Sequence, residues 1–493
     1  MEYLLTAKEM KEMEEMTINQ VGIPSMVLME RAALSVFQEI KKRRGSLLKE
    51  DKVLILCGGG NNGGDGLALG RMLSHECSFV EVIFCKEEEQ GTKEFKEQQK
   101  ILSSYPVKTG GIPTDLEYTV LIDALFGIGL NREITGEYAD YIHWFNRKKG
   151  YKIAIDIPSG IHADSGNVMG CAIKAQLTIA LSYGKMGLYV YPGCDYAGEI
   201  IVKDIGIVKA HKQESSFSMF RYTERAAELL PLRNESGNKG DFGKVLVIAG
   251  SENMAGAAVL AAKAAYRIGA GMVKVISKAC NGDIIQTAVP EALFGTEEDF
   301  VESLKWAKVV VVGPGLSTKP ETLWILTTLL EQCDLPLVID ADGLNVLAKE
   351  PLLQDIVSKQ GAEGRVIILT PHMGELSRLT RLPMEQLKEQ HIKSACDLAK
   401  ELNCILVSKD ARTIICQESK PICINITGNS GMATAGSGDV LSGMIAGLLS
   451  QNMESFQAAS VAVYLHGLAG DYMAKEKGQW GLMALDIVDG IGR

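Results

Sequence analysis

Three short segments in the first half of the chain carry residue types that can hold an anion, a cation or a moving proton. Gly58–Gly66 reads GGGNNGGDG and stands between an apolar run and a helical pattern. Glycines there permit positive φ and close backbone approach to a ligand. A helix N-terminus behind them offers free N–H groups and a favourable field for phosphate. A tight turn alone is the plainer reading, but it does not require Asn61, Asn62 and Asp65. Ile122–Leu130 reads IDALFGIGL and puts Asp123 at a strand exit. Ile155–Gly160 reads IDIPSG and does the same for Asp156 and Ser159. Each Asp taken singly also fits a cap or turn. Together, three such exits in one open sheet converge on the edge where ligands bind.

A fourth segment lies near the C-terminus. Asn429–Gly443 reads NSGMATAGSGDVLSG, a Gly/Ser loop opening a helix over Val440–Ser450 with Asp439 at its start. Backbone N–H groups of Ala435–Gly438 are placed to cradle an anion, and Asp439 to take a proton from a hydroxyl facing it. An anion cradle plus a base is the equipment for phosphoryl transfer to an alcohol. The plainer reading is an Asp N-cap.

The elements that must position these residues follow from apolar periodicity. Thr6 and Glu9 have capping-box spacing and open an N-terminal helix whose Met10, Met13 and Met16 read as packing. Val53–Cys57, Val80–Phe84, Thr119–Ile122, Lys152–Ile155 and Leu177–Leu181 read as strands, with a helix over Leu67–Ser74. The pattern restarts near Lys244: strands at Val245–Ser251, Met272–Ile276, Val309–Val312, Leu337–Ile339, Val366–Leu369, Ile405–Val407 and Thr413–Cys416, and an Ala-rich helix over Ala255–Ile268. Near-continuous apolar strands separated by helices predict parallel sheets covered on both faces. The fold class is therefore α/β, in two halves. The polar segment Lys209–Ser218 separates them, giving domains 1–212 and 220–493. Their Gly-rich signatures differ, which argues against duplication.

The bulk numbers agree. A length of 493 residues suits two to three domains of roughly 100–200 residues. A formal charge of −10 opposes non-specific nucleic-acid binding. The 11 cysteines form no CxxC pair and several sit in apolar runs, as expected of reduced, buried thiols in the cytoplasm. No signal peptide and no apolar stretch of about 18 residues is visible, so no membrane span is expected. A homo-oligomer is compatible with this composition.

With Lys185 in SYGKMGL, the three N-terminal segments resemble the NAD(P)H-hydrate epimerase family over residues 1–210. The resemblance implies a Rossmann-like domain that interconverts R and S hydrates of NADH and NADPH (NADHX and NADPHX). It implies dinucleotide contacts from Asn61, Asn62, Gly63, Gly64 and Asp65. Gly127, Ile128, Gly129, Leu130, Asn131, Arg132, Glu133, Tyr138 and Asp156 would add to them. It further implies K⁺ held by Asn62, Asp123 and Ser159, with Asp156 as acid/base. Gly59 stands where the family often has Pro.

Five later blocks are KGDFGKVLVIAGS (Lys239–Ser251), GPGL (Gly313–Leu316), IDADGLN (Ile339–Asn345), LTPHMGE (Leu369–Glu375) and the Asn429–Gly443 segment. They resemble the ribokinase-like NAD(P)H-hydrate dehydratase family over residues 225–493. The resemblance implies hydrate contacts from Ala257, Gly315, His372 and Asp439. It implies nucleotide contacts from Lys409, Asp410, Ala411, Arg412, Thr413 and Gly438. Asp439 would be the base, ADP the co-substrate as in the bacterial fusions, and Mg²⁺ the companion ion. Two positions depart from the family pattern: Asp410 follows Lys409 in place of Gly, and Ser317 replaces the last Gly of GPGLG. His372 also reads as a turn histidine after Pro371, and His466 as structural. The competing reading of the whole chain is a vitamin or sugar kinase fused to a non-catalytic nucleotide-binding module.

Overall fold

The computed structural model describes residues 1–85, 91–111, 116–208, 217–223, 228 and 230–492. The chain divides into two compact units, Tyr3–Met219 and Phe220–Arg493 with Met1–Glu2. The polar segment expected at the boundary lies outside the described residues except for Phe217 and Ser218.

The first unit is built on strands β1 (Lys52–Cys57), β2 (Phe79–Phe84), β3 (Lys108–Gly110), β4 (Val120–Ala124), β5 (Tyr151–Ile155), β6 (Leu177–Leu181) and β7 (Glu199–Lys203). Their order is β3-β2-β1-β4-β5-β6-β7 and every pairing is parallel. Five of the six β1 residues and all of β4 and β6 are buried, as a sheet covered on both faces requires. The N-terminal helix α1 (Ala7–Met16) starts on the expected capping box. Thr6 N–H donates to Glu9 Oε2 at 2.8 Å and Glu9 N–H to Thr6 Oγ1 at 3.2 Å. Met10 and Met13 are core residues.

One helix departs from expectation. The helix after β1, α2, spans Asn61–Leu73, so Asn61–Gly66 is its first turns rather than a loop before it. None of Gly58, Gly59, Gly60, Gly63, Gly64 or Gly66 has positive φ. Their smallness serves packing instead. A Cβ on Gly63 would lie 1.8 Å from the Gly58 carbonyl oxygen, and one on Gly66 2.6 Å from Ala124 Cβ. The glycines let the helix start press onto the ends of β1 and β4.

The second unit contains β8 (Lys244–Ile248), β9 (Met272–Ile276), β10 (Leu293–Gly295), β11 (Val309–Val312), β12 (Leu337–Ile339), β13 (Ile367–Leu369), β14 (Ile405–Ser408), β15 (Ile414–Cys416) and β16 (Ile422–Ile424). Their order is β10-β9-β8-β11-β12-β13-β14-β15-β16. Pairing is parallel as far as β14 and antiparallel across β14-β15-β16. The Ala-rich helix α3 (Ala255–Arg267) packs against α4 (Ser437–Ser450). A Cβ on Gly443 would lie 2.2 Å from the Ala261 carbonyl oxygen, so this pair needs small residues to approach.

In both units the chain leaves one strand to opposite sides in turn: β2 and then β4 flank β1, and β9 and then β11 flank β8. Such a switch point opens a crevice beyond the C-terminal strand ends.

Candidate active sites

In the first unit the expected residues gather at that edge. Asp123 is the fourth residue of β4, and Asp156 directly follows β5. Asp123 is fully buried and heavily bonded. Its Oδ1 accepts from Ser159 Oγ at 2.5 Å and Leu125 N–H at 3.1 Å, and its Oδ2 from Ser159 N–H at 2.7 Å. Ser159 Oγ accepts in turn from Phe126 N–H at 2.8 Å. Burial drives the Asp123 pKa up to about 6 against the lowering effect of these bonds.

Asn62 presents the opposite case. Its Oδ1 and Nδ2 are buried without a hydrogen-bond partner among the described residues. A Cβ on Gly127 would sit 3.6 Å from Asn62 Cγ, so the Asn62 amide abuts the loop after β4. An orphaned buried amide costs about 1–3 kcal/mol per group unless a ligand satisfies it.

Asp156 has φ +69°, a strained conformation that side-chain-bearing residues seldom adopt. Its Oδ1 accepts from Leu181 N–H at 3.0 Å and from the ammonium of Lys185. Lys185 is fully buried and also donates to the Leu181 carbonyl at 2.8 Å. The sequence marks Lys185 only as part of a block; its bond to Asp156 is what gives it a role. Asp65 is buried, and desolvation together with Asp156 and Glu14 raises its pKa well above the ordinary value.

The remaining expected contacts divide by exposure. Asn131, Arg132 and Glu133 are exposed. Ile128, Leu130 and Tyr138 pack against hydrophobic cores, and Tyr138 tilts against Phe126 with ring centroids 5.0 Å apart. These three side chains take part in packing.

In the second unit Ala257, Gly315, His372, Lys409 and Asp439 come from segments that follow β8, β11, β13 and β14 and from the start of α4. Gly315 has φ +60°, and a Cβ there would lie 3.0 Å from Ala257 Cβ, so these two expected hydrate contacts are neighbours. Asp340, at the end of β12, ties the site together. Its Oδ1 accepts from Lys409 Nζ at 2.7 Å and its Oδ2 from Ser442 Oγ on α4. A Cβ on Gly438 would lie 3.0 Å from Lys409 Nζ, which places Lys409 beside the first turn of α4. Burial opposes the Lys409 ammonium, but Asp340 and Glu375 outweigh it and hold its pKa above the usual lysine value.

Asp439 does not cap α4. The cap is Gly436, in the left-handed conformation at φ +91°, with no side-chain cap bond. Desolvation, then the nearby Asp340, push the Asp439 pKa up to about 7, with Lys409 pulling the other way. A carboxylate tuned to neutrality suits a general base. Of the proposed anion cradle, the Ser437 N–H is committed to the Thr434 carbonyl at 3.3 Å. Ser437 Oγ lies 3.4 Å from Nε2 of His466, whose pKa burial lowers to about 4, so this histidine is neutral.

His372 is the N-cap of helix α5 (Met373–Thr380), chain-wise between α3 and α4. Its Nδ1 accepts from Gly374 N–H at 2.9 Å, so the capping histidine carries its proton on Nε2. Burial and the nearby Lys409 lower its pKa. Glu375 completes the capping box by accepting from His372 N–H at 2.9 Å, and burial raises its pKa to about 7.

The two departures from the family pattern have different consequences. Ser317 sits at φ +68°, where glycine is favoured, and its N–H donates to Asp342 Oδ2 at 2.7 Å. Asp410 is exposed and is not among the positive-φ residues, so its backbone does not call for glycine. Its carbonyl accepts from Thr413 Oγ1 at 3.1 Å. Arg412 reaches the Ile426 carbonyl at 3.3 Å, and Ala411 is exposed.

The cysteines are free, and most are buried or half-buried as expected, but Cys280 is exposed. No helix among the described residues is long and apolar enough to cross a membrane.

Comparison with known proteins agrees with this geometry. Residues 245–493 match the family model described as NAD(P)H-hydrate dehydratase, and residues 25–187 match that of the YjeF-related protein N-terminus. The bifunctional NAD(P)H-hydrate repair enzyme of Moorella thermoacetica is 35% identical, the match covering 99% of this chain and 95% of the relative. That of Coxiella burnetii is also 35% identical, over 99% and 98%. A ribokinase-like superfamily protein from Enterococcus faecalis superposes with a TM-score of 0.50 at 28% identity, covering 56% of this chain and 94% of its own. Both sheet edges, their acidic residues and these relatives lead to one conclusion: the chain belongs to the bifunctional NAD(P)H-hydrate repair enzyme family.

Proposed function

We propose that residues 1–212 epimerise hydrated NADH and NADPH at the Asp156 edge and that residues 220–493 dehydrate the S form at the Asp439 edge. The observation that carries the second assignment is the Asp439 carboxyl, held near neutrality beside a Lys409–Asp340 pair at the start of a Gly-rich helix. As its carboxylate, Asp439 takes the proton of the hydrate hydroxyl. The freed oxygen attacks the terminal phosphorus of ADP and the bridging P–O bond breaks. Phosphate then departs from the ring carbon with the C–O electron pair, and loss of the neighbouring proton restores the dihydropyridine. A hydroxyl leaves poorly and phosphate leaves well, which is why a lyase benefits from a kinase fold. Lys409 and the N–H groups of Ala435, Gly436 and Gly438 stabilise the phosphate charge. The same residues suit ATP and ADP; the bacterial fusion favours ADP.

Mg²⁺ fits as an ion that enters with the nucleotide. Among the described residues no group of three or more His, Cys, Asp or Glu side chains is placed to hold a metal. Mg²⁺ is commonly bound by one or two carboxylates plus phosphate oxygens; here it would be held chiefly by the phosphate oxygens of the nucleotide, since both Asp340 oxygens accept from Lys409 and Ser442 and Asp439 serves as the base. When bound it neutralises charge on the transferring phosphate.

In the first unit Asp156 moves the proton at the hydrated carbon, and Lys185 orients its carboxylate. The orphaned Asn62 Oδ1, with Asp123 and Ser159 oxygens, is a hard-oxygen set suited to K⁺. That cation supplies positive charge for an anionic dinucleotide. The reading places the chain in a reducing compartment such as the cytoplasm, acting on small molecules without nucleic acid or membrane partners.

Product analysis separates this reading from a kinase. Incubation of S-hydrate with ADP should regenerate dihydronicotinamide absorbance with release of AMP and phosphate. Accumulation of a stable phosphorylated alcohol would assign the chain to the kinases instead.

A further inference from the structure

Helix α6 (His391–Glu401) lies in chain order between α5 and α4. It packs on the hairpin β14-β15 that flanks the Lys409–Thr413 loop. At one end His391 Nε2 meets Ser408 Oγ at 2.7 Å. One and a half turns along, Cys396 Sγ lies 3.0 Å from Cys416 Sγ, the last residue of β15. Two thiols at this separation are closer than ordinary sulfur packing, and they differ in access. Cys396 is half-buried, whereas Cys416 is 2% exposed and belongs to the core.

We infer that Cys396 and Cys416 form a reversible disulfide site, a modification of the dehydratase unit distinct from its catalytic chemistry. The accessible sulfur reacts first. The Cys396 thiolate attacks one oxygen of a peroxide and the O–O bond breaks. Cys396 becomes a sulfenic acid and water leaves after protonation. Cys416 sulfur then attacks Cys396 sulfur, the S–O bond breaks, and the departing hydroxide takes the Cys416 proton as water. The balance is two thiols and one hydrogen peroxide giving one disulfide and two waters. The contact with Cys416 also lowers the Cys396 pKa, which favours the thiolate that starts the sequence. The bond would link β15 to α6, on the strand that directly follows the loop assigned above to the nucleotide. That proximity to the nucleotide rests on the proposed loop assignment; the disulfide itself does not.

The competing thiols make the site testable. Cys404 and Cys423 are buried in the same unit, and Cys280 is exposed. The full chain is treated with dilute hydrogen peroxide, quenched with a thiol-alkylating reagent under denaturing conditions and mapped without reduction. We expect a cross-linked peptide joining Cys396 to Cys416, a loss of two hydrogens from the mass, and reversal by dithiothreitol. Cys416→Ser should leave Cys396 as a sulfenic acid captured by dimedone. Cys396→Ser, at the half-buried helix position, should abolish the cross-link while keeping the fold. Peroxide treatment that leaves Cys416 fully alkylatable, or that drives Cys396 to sulfinic acid in the parent chain, would overturn the inference.

Discussion

Asp340 Oδ1 accepts from Lys409 Nζ at 2.7 Å across 69 residues of sequence, and its other oxygen accepts from Ser442 on the helix that bears Asp439. One carboxylate thus fixes the proposed phosphate lysine relative to the proposed base. Asp340→Asn removes the ion pair and one of the charges that raise the Asp439 pKa. The nucleotide KM should rise roughly 10-fold, the scale of a lost charge-assisted hydrogen bond. The acid limb of the dehydration pH profile should move to lower pH, because Asp439 then ionises more easily. An unmoved acid limb would show that Asp340 does not act through Asp439.

Asp439→Asn keeps the size of the side chain and removes the proton acceptor. Dehydration should fall by roughly 10²–10⁴ with nucleotide binding retained. Stability should change in the opposite sense. The folded carboxyl holds its proton up to about pH 7, against 3.8 for the ordinary group. Folding therefore loses stability as pH rises through that window. The Asn variant should melt higher than the parent at pH 8, and the gap should close below pH 4. Near-normal turnover would remove Asp439 from the mechanism.

The Asn62 amide and the Asp123 carboxylate predict different losses. Asp123 is bonded to Ser159 and Leu125, so Asp123→Ala should lower the melting temperature as well as epimerisation. Asn62 has no hydrogen-bond partner among the described residues, so Asn62→Ala should keep the melting temperature and weaken K⁺ binding. In the parent, K⁺ added to an alkali-depleted sample should raise thermal stability more than equal Na⁺. Equal responses to the two ions would leave the cluster as a hydrogen-bond network.

Ser317 offers a stability test remote from any proton transfer. At φ +68° an L-residue carries a strain of roughly 1–2 kcal/mol. Ser317→Gly relieves it, less the extra freedom glycine gives the unfolded chain, about 0.4–1 kcal/mol. The variant should be more stable by roughly 0.5–1 kcal/mol in denaturant titration. A loss of stability would mean that the Ser317 side chain contributes more than its backbone costs.

The central strands were legible because each is a short apolar run buried on both faces, and β1, β5, β9 and β11 fall within a residue of their expected spans, whereas β3 and β7, exposed or half-buried, carry no such signal. The start of α2 was not, because glycine is a poor helix former by intrinsic propensity and the close approaches of Gly63 to Gly58 and of Gly66 to Ala124 are what explain it there. The proposed bases were legible from Gly-rich contexts. Their partners were not: Lys185 and Ser442 find their carboxylates 29 and 102 residues away, a relationship that no local spacing encodes. His372 reads from sequence both as a ligand contact and as a turn residue, and the structure shows its Nδ1 committed to the helix cap.

The most direct test of two sites with two activities uses the full chain and a mixture of R and S hydrates with ADP, following dihydronicotinamide absorbance to completion. The parent should recover both epimers. Asp156→Asn should recover the S fraction quickly and the R fraction only at the slow spontaneous rate; Asn suits the left-handed backbone at this position. Asp439→Asn should recover almost nothing while still equilibrating R with S, as seen by chromatography. Rapid recovery of both epimers by Asp156→Asn, or loss of epimer exchange in Asp439→Asn, would contradict the assignment.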